Sequence, residues 1–400
     1  MTLRAEVADP ATKRQEERLY LSTFALGHFA NDWTAGSLLL LTPAIAVAMQ
    51  LGPTEIGLML TLNGLGGGLA YLPAGLAADH TRRRGLLLLL TFWWTVIGYF
   101  VASFAPDYWS LTILLAIAVM GDAAWHPIAT GALTQLMPDR KARALGVHAM
   151  GGTIGAEAVA PLAVGFLLVW FDWRTVLQIS VLPAFIMGIV FIPLVKRIGP
   201  AHVHRFELSS LLELLKRWHT PLGIGLIFFA VLYNMATIAA IAMTPLFLHT
   251  HHGLSTIETG VAFAAMVIIG SVLQPVLGHA SDRFGRKFLL VAVLGTGGAF
   301  AVAASLSSTF VPFLVCLMVA VALLTGIRPV VLATAVEVSG ERESTTLGMA
   351  FTLMDGIGAF GAVIAGIAGR HDLSHAFLLA GLLALVASAI AVRLPLGRGH

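Results

Sequence analysis

The residues able to do chemistry are few, and they recur at helical spacing inside long apolar runs. His28, Asn31 and Asp32 stand at i, i+3 and i+4, which puts all three on one face of a helix. Asp122 and His126 repeat the i, i+4 spacing, and Tyr233, Asn234 and Thr237 form a neutral polar cluster. Glu157 and Arg328 each interrupt an apolar run. Carboxylates and imidazoles take up and release protons, so Asp32, His28, Asp122, His126 and Glu157 are candidate proton carriers. Arg328 cannot easily lose its charge and needs a carboxylate partner or an anionic ligand. With Asn31, Tyr233 and Asn234 it forms the candidate substrate-binding set. Each has a plainer reading: an amide or phenol often only bridges helices, and a buried imidazole often only bonds a carbonyl. Asp355 is a weaker candidate of the same kind. If the two His–Asp pairs converged they could hold a divalent metal, but Arg328 in the same cavity would repel it. No metal and no cofactor is expected.

The elements that carry these side chains must be membrane helices. The chain has 400 residues, 58% hydrophobic and only 11% charged, where an ordinary soluble domain carries about 25% charged residues. Its mean hydropathy is +0.87. A water-soluble globule, a disordered chain and a disulfide scaffold are excluded, the last because Cys316 is the single cysteine. About 20 apolar residues cross a bilayer as a helix. Twelve such runs are present: 19–49, 55–78, 85–104, 109–136, 143–169, 175–195, 221–248, 256–280, 287–306, 311–338, 345–369 and 375–394. They are too long and too uniformly apolar for barrel strands. The first 18 residues are polar and charged, so no cleavable signal peptide is expected. Trp93, Trp94, Trp109, Trp170 and Trp173 fall near run ends and read as interfacial anchors. His249, His251 and His252 cluster on an outer loop and read as solvated by default, with metal capture as the alternative.

The basic residues set an orientation. With the N-terminus in the cytoplasm, 21 of the 24 Lys and Arg fall in cytoplasmic segments, two (Arg174 and Arg370) fall outside, and Arg328 lies within a run. Both termini are expected inside. The pI of 9.2 then reflects topology, and no nucleic-acid partner is implied.

The longest polar stretch, 196–219, divides the chain into halves. Residues 1–18 are a cytoplasmic segment, 19–195 one six-helix bundle, 196–219 a linker and 220–400 a second bundle with a short tail. Within the linker, Leu208–Trp218 has helical spacing of apolar residues and is expected along the membrane interface. The halves align at an offset of about 202: Thr42-Pro43 on Thr244-Pro245, Pro73 on Pro275, His126-Pro127 on Arg328-Pro329 and Leu145-Gly146 on Leu347-Gly348. Duplicated six-helix halves are a transporter architecture, with the site near the midplane between them.

The loop Gly278-His-Ala-Ser-Asp282-Arg283-Phe-Gly285-Arg286-Lys287 resembles the cytoplasmic signature of the major facilitator superfamily, G-x-x-x-D-R-x-G-R-[RK]. Gly75-Leu-Ala-Ala-Asp79-His-Thr-Arg82-Arg83-Arg84 is a weaker first-half copy. The resemblance covers the whole chain and implies the major facilitator fold, with spans one, four, seven and ten lining a central cavity. It also implies gating roles for Asp79, Arg82, Arg83, Asp282, Arg283 and Arg286. Gly27-His28-Phe29-Ala-Asn31-Asp32, Trp125-His126-Pro127 and Gly151-Gly152-Thr-Ile-Gly155 resemble segments of the fosmidomycin-resistance subgroup, bacterial inner-membrane exporters that exchange drug for protons. Ala156-x-x-x-Ala160-Pro161-x-x-Val164-Gly165 resembles a worn antiporter motif, and also reads as ordinary tight packing. The drug-exporter motif with Arg in span four is missing.

The expected function is proton-coupled efflux of a small anionic or amphiphilic compound by a monomer in the bacterial inner membrane. The partners are the substrate, protons and lipid. Proton-coupled uptake of an organic acid is the alternative. A transport-dead sensor would lack the buried charges, and an enzyme would need a nucleophile or metal constellation. A nucleotide-driven pump would need G-x-x-x-x-G-K-[ST], which is absent.

Overall fold

A chain inside a bilayer must satisfy its backbone within each segment, so apolar runs of this length become helices. The computed structural model describes residues 10–137, 141–198, 216, 218–339 and 349–396. Twelve helices are long and apolar enough to span: α1 (Gln15–Met49), α2 (Pro53–His80), α3 (Arg84–Ala102), α4 (Tyr108–Leu136), α5 (Ala144–Leu167), α6 (Trp173–Leu194), α7 (Pro221–Thr250), α8 (Thr256–Phe284), α9 (Arg286–Ser305), α10 (Phe310–Thr334), α11 (Met349–Ala368) and α12 (Ser374–Arg393). Each matches one run read from the sequence, with ends shifted by a few residues. The expected interfacial helix lies outside the described residues except at Lys216 and Trp218, and the Glu337 side chain also lies outside them.

Polar residues stop the helices where water begins. Asp107 caps α4, accepting from Ser110 N at 3.0 Å, and Ser255 caps α8 in a reciprocal arrangement with Glu258. Asp172 caps α6, and hydrogen bonds from the Thr175 hydroxyl and nearby backbone N–H groups hold its carboxyl below the ordinary value. Trp94, Trp109 and Trp170 are exposed as interfacial anchors should be, but Trp173 is not. It is buried under the Arg174 guanidinium, 4.3 Å from the ring centre, because Asp172 starts α6 and turns the next residue inward. The outer histidines are not simply solvated: the His251 ring stacks on Phe247 at 4.5 Å and His249 bonds the Leu254 carbonyl.

Three helices depart from regular α geometry at the polar positions. α5 holds a π-helical turn at Thr153–Val159 and α11 one at Thr352–Ile357. α10 breaks at Ile327 and resumes at Arg328, since Pro329 lacks the N–H that would continue the ladder. α4 runs unbroken through Pro127.

The halves meet along α2–α11 and α5–α8. At the side away from the termini the approach is backbone to backbone: a Cβ on Gly57 would lie 2.4 Å from the Ala362 carbonyl oxygen, and one on Gly366 would lie 2.2 Å from that of Pro53. The Thr61 hydroxyl donates to the Ala359 carbonyl at 2.8 Å and accepts from Val363 N at 3.1 Å. Deeper in, Tyr71 stacks on Phe351 at 5.5 Å. Toward the termini, open space flanks Gly131 of α4 and Gly278 of α8. Among the described residues the halves are thus sealed by backbone contacts on the side away from the termini.

Candidate functional site

The polar residues of α1, α4 and α5 converge in the first half. His28 and Asp32 sit one turn apart, and His28 Nε2 lies 3.1 Å from Asp32 Oδ2. His126 of α4 brings its Nε2 to 3.8 Å from Asp32 Oδ1, and its ring lies edge-on to His28 at 5.0 Å. Asp122 stands behind the cluster, its Oδ1 held by the Asn31 amide at 2.9 Å.

α5 completes the cluster with His148, which the sequence reading did not single out. His28 Nδ1 lies 2.8 Å from the His148 carbonyl oxygen, the His148 ring stacks on His28 at 4.1 Å, and His148 Nδ1 lies 3.2 Å from the Phe24 carbonyl. A carbonyl only accepts, so His28 carries a proton on Nδ1 and turns Nε2 toward Asp32. α5 approaches this closely because Gly152 has no side chain: a Cβ there would lie 2.5 Å from His28 Nε2.

Asn31 does not face the cavity. It is fully buried, its amide donates to Asp122 Oδ1 at 2.9 Å and to the Asp122 carbonyl at 3.2 Å, and it accepts from the Thr95 hydroxyl at 3.1 Å. The Asp122–His126 pair expected from the i, i+4 spacing is divided accordingly. Asp122 is held by Asn31, and His126 turns to Asp32.

In the second half, Arg328 has the carboxylate partner its charge requires. Its Nη2 donates to both oxygens of Asp355, at 3.1 and 3.0 Å. Asn234 holds Asp355 in turn, donating to its Oδ1 at 3.4 Å and to the Met354 carbonyl at 2.8 Å. The Tyr233 hydroxyl donates to the Leu324 carbonyl at 2.8 Å inside the half. Tyr233 and Asn234 thus brace α7 against α10 and α11, as Asn31 braces α1 against α3 and α4. A fully packed helix offers polar atoms to its neighbours first, because an unsatisfied one is costly there.

The two clusters lie across the interface from each other. His126 is within electrostatic reach of Arg328 and Asp355. Tyr71 stands between, 6.0 Å from His126 and stacked on Phe351, and the Arg328 guanidinium lies 5.9 Å from the Phe351 ring centre. Glu157, on the π-helical turn of α5, accepts from the Ser271 hydroxyl of α8 and ties the halves together.

The loop signatures differ from expectation in one partner. Asp79 pairs with Arg84, at 3.2 Å, and Arg84 Nε donates to the Ala78 carbonyl at 2.7 Å. Arg82 and Arg83 are exposed. Arg84 opens α3, so its side chain turns inward while the two before it stay in the loop. In the second copy Asp282 and Arg283 are exposed, among the described residues Asp282 has no ion pair, and Arg286 reaches the Ala333 carbonyl at 3.4 Å.

This architecture has relatives. Residues 24–362 and 227–398 match the Major Facilitator Superfamily. The chain is 27% identical over 215 residues to a "Probable sugar efflux transporter" of Pasteurella multocida, covering 53% of this chain and 51% of that one. It is 25% identical over 319 residues to a "Probable nitrate/nitrite antiporter NarK1" of Thermus thermophilus, covering 72% and 67%. The chain spans about half the length of the first curated relatives it matches. Among solved structures, the nucleoside transporter NupG superposes with a TM-score of 0.77 at 14% identity, covering 94% of this chain and 98% of that one. A bacterial homolog of the human lysosomal transporter Spinster superposes with 0.72 at 18%, covering 94% and 95%. At these identities the likeness is one of fold, and it extends over nearly the whole of both chains. The match of both halves to one family, on a fold of twelve spans, leads to one statement: the chain belongs to the Major Facilitator Superfamily.

Proposed function

We propose that this protein is a secondary transporter that exports a small anionic or amphiphilic compound in exchange for protons. The observation that carries the reading is the juxtaposition of Asp32, ringed by His28, His126 and Asp122, with the Arg328–Asp355 pair across an interface closed on one side. A charge held at the bilayer centre costs about 2.5–3.5 kcal/mol on insertion scales. A proton that neutralises Asp32 removes such a charge and biases the two-state equilibrium between the open sides. His28, Asp122 and His126 exchange that proton, and Glu157 senses it at the α5–α8 contact.

Arg328 receives the anionic group of the substrate, which competes with Asp355 for the guanidinium. Asn31, Tyr233 and Asn234 position these groups. Asp79, Arg82, Arg83, Asp282, Arg283 and Arg286 take part in gating, with Arg84 as the partner of Asp79. The side carrying the termini is cytoplasmic, in keeping with the basic loops, and the membrane is the bacterial inner membrane. The working unit is the monomer, since each chain holds both halves of the site.

Export is preferred over uptake for two reasons. The span-one and span-four segments resemble those of fosmidomycin-resistance exporters, and the relative from Pasteurella multocida is described as an efflux transporter. The exported compound is an antibiotic or a metabolite. The test is efflux in inverted vesicles under an imposed pH gradient, across a panel of antibiotics and organic acids. Proton-driven movement in the export direction, lost in Asp32→Asn, is expected. Movement that ignores the gradient would overturn the coupling, and movement only with the opposite sign would favour uptake.

A further inference from the structure

We propose that His28, Asp32 and His126 form a binding site for a divalent first-row transition-metal ion. One nitrogen or oxygen from each lies within 4.8 Å of the other two. Bonds of about 2.0–2.2 Å place neighbouring ligands of a tetrahedral ion about 3.3 Å apart. His28 Nε2 is already at that spacing from Asp32 Oδ2, at 3.1 Å, and His126 Nε2 lies 3.8 Å from the other oxygen, Oδ1, so a modest turn of the carboxylate and the His126 ring brings the three together.

Two further observations point to a cation. His28 is nine-tenths buried, and its Nδ1 faces the His148 carbonyl, which can only accept. In the neutral ring Nε2 is then a lone pair directed at a carboxylate. That nitrogen and Asp32 Oδ1 have no hydrogen-bond partner. An Nδ1–H fixed on a backbone carbonyl is the arrangement that orients histidine as a metal ligand. Secondly, the absence of a side chain at Gly152 keeps both ligand atoms clear of α5: a Cβ there would lie 2.5 Å from His28 Nε2 and 2.8 Å from Asp32 Oδ2.

The objection that Arg328 repels a cation does not hold, because both Asp355 oxygens engage its guanidinium. Two imidazoles and one carboxylate select zinc, cobalt or nickel over magnesium and calcium. The inference rests on this geometry and not on the direction or coupling of transport.

The test uses the full-length protein in detergent, purified on a streptavidin-binding tag in place of polyhistidine, and titrated with Co2+ and then Zn2+. One Co2+ per chain with the visible spectrum of a four-coordinate site, displaced by Zn2+, is expected. Affinity should fall at least about tenfold in His28→Gln, Asp32→Asn and His126→Gln. It should fall also in Gly152→Ala, which keeps all three ligands, and persist when His251→Gln and His252→Gln are combined. No saturable binding, binding unchanged in the three ligand variants, or binding lost only with the outer-loop pair would overturn the proposal. Zinc-edge X-ray absorption of the wild-type protein decides the case should a variant fail to fold. Two imidazoles with oxygen at about 2.0–2.1 Å support the site, and three imidazoles or oxygen alone reject it.

Discussion

Asn31 and Tyr233, 202 positions apart, make the same contact in the two halves. Asn31 donates to the carbonyl of Asp122, and Tyr233 donates to the carbonyl of Leu324, itself 202 positions beyond Asp122. The duplication is therefore preserved in a hydrogen bond even though the residue types have diverged. The next residue in each helix differs: Asp32 is an acid facing His28, and Asn234 is the amide that holds Asp355. Each half keeps the brace, and the residues beside it have diverged.

If Asp32 carries the proton, Asp32→Asn should stop pH-driven efflux and spare exchange of substrate across the membrane at equal pH. A reduction of at least about tenfold in driven flux, about 1.4 kcal/mol, with counterflow retained, is the expected result in vesicles. Equal loss of both would place Asp32 in substrate binding.

Breaking the Arg328–Asp355 pair should cost stability in a way that a double change repairs. Asp355→Asn or Arg328→Gln should each lower stability by roughly 1.5–3 kcal/mol, the range for hydrogen bonds to charged groups. The figure is kept below that of a sealed ion pair because 35% of the Arg328 side chain is exposed to the cavity. The double variant should recover most of the loss and still fail to transport an anion. Thermal unfolding in detergent beside vesicle flux reads both.

The closed side should open when its backbone contacts are obstructed. Gly57→Ala and Gly366→Ala each push a methyl group against a carbonyl of the other half. Overpacking of this kind costs about 1–3 kcal/mol, and only the closed state bears it, which shifts the two-state ratio about 5- to 150-fold. With Cys316→Ser removing the single native cysteine, a Thr54→Cys probe should react faster with a membrane-impermeant maleimide in either glycine variant.

Asp172 offers a pH test outside the membrane. Its carboxyl is held below the ordinary value of 3.8, so its cap stabilises the folded state above that pH and loses effect as the pH falls through the folded-state value. Asp172→Ala should lower stability by about 1 kcal/mol at pH 7. The difference from wild type should shrink as the pH falls below the ordinary carboxylate range and vanish once the pH is below the lowered folded-state value, where the cap is protonated in both states.

The twelve spans were legible because each is a long apolar run that only a helix can place in lipid. The pairing of His28 with Asp32 was legible from the i, i+4 spacing. What spacing could not supply was the rotation of each helix about its axis, since helices apolar on all sides give no phase. Spacing alone therefore does not tell that Asn31, Tyr233 and Asn234 turn their polar atoms to neighbouring helices. His148 carries no such signal, because no polar residue accompanies it one turn away in α5. Its contact with His28 depends on Gly152, whose meaning appears only once α1 and α5 cross. Arg84 was hidden among three adjacent arginines, and only the start of α3 tells which one turns inward.

The π-helical turns of α5 and α11 overlap when the halves are aligned at 202. Each amounts to one extra residue in an otherwise α-helical span. Deleting a residue within either turn would rotate the rest of that helix by about 100° and draw it back about 1.5 Å. Gly165 would leave its place against Gly260, or Gly366 its place against Pro53. These two helices are consequently the spans in which a change of length is least tolerated. A reading-frame-preserving deletion scan should find its sharpest intolerance there, although both segments consist mainly of small, readily substituted residues.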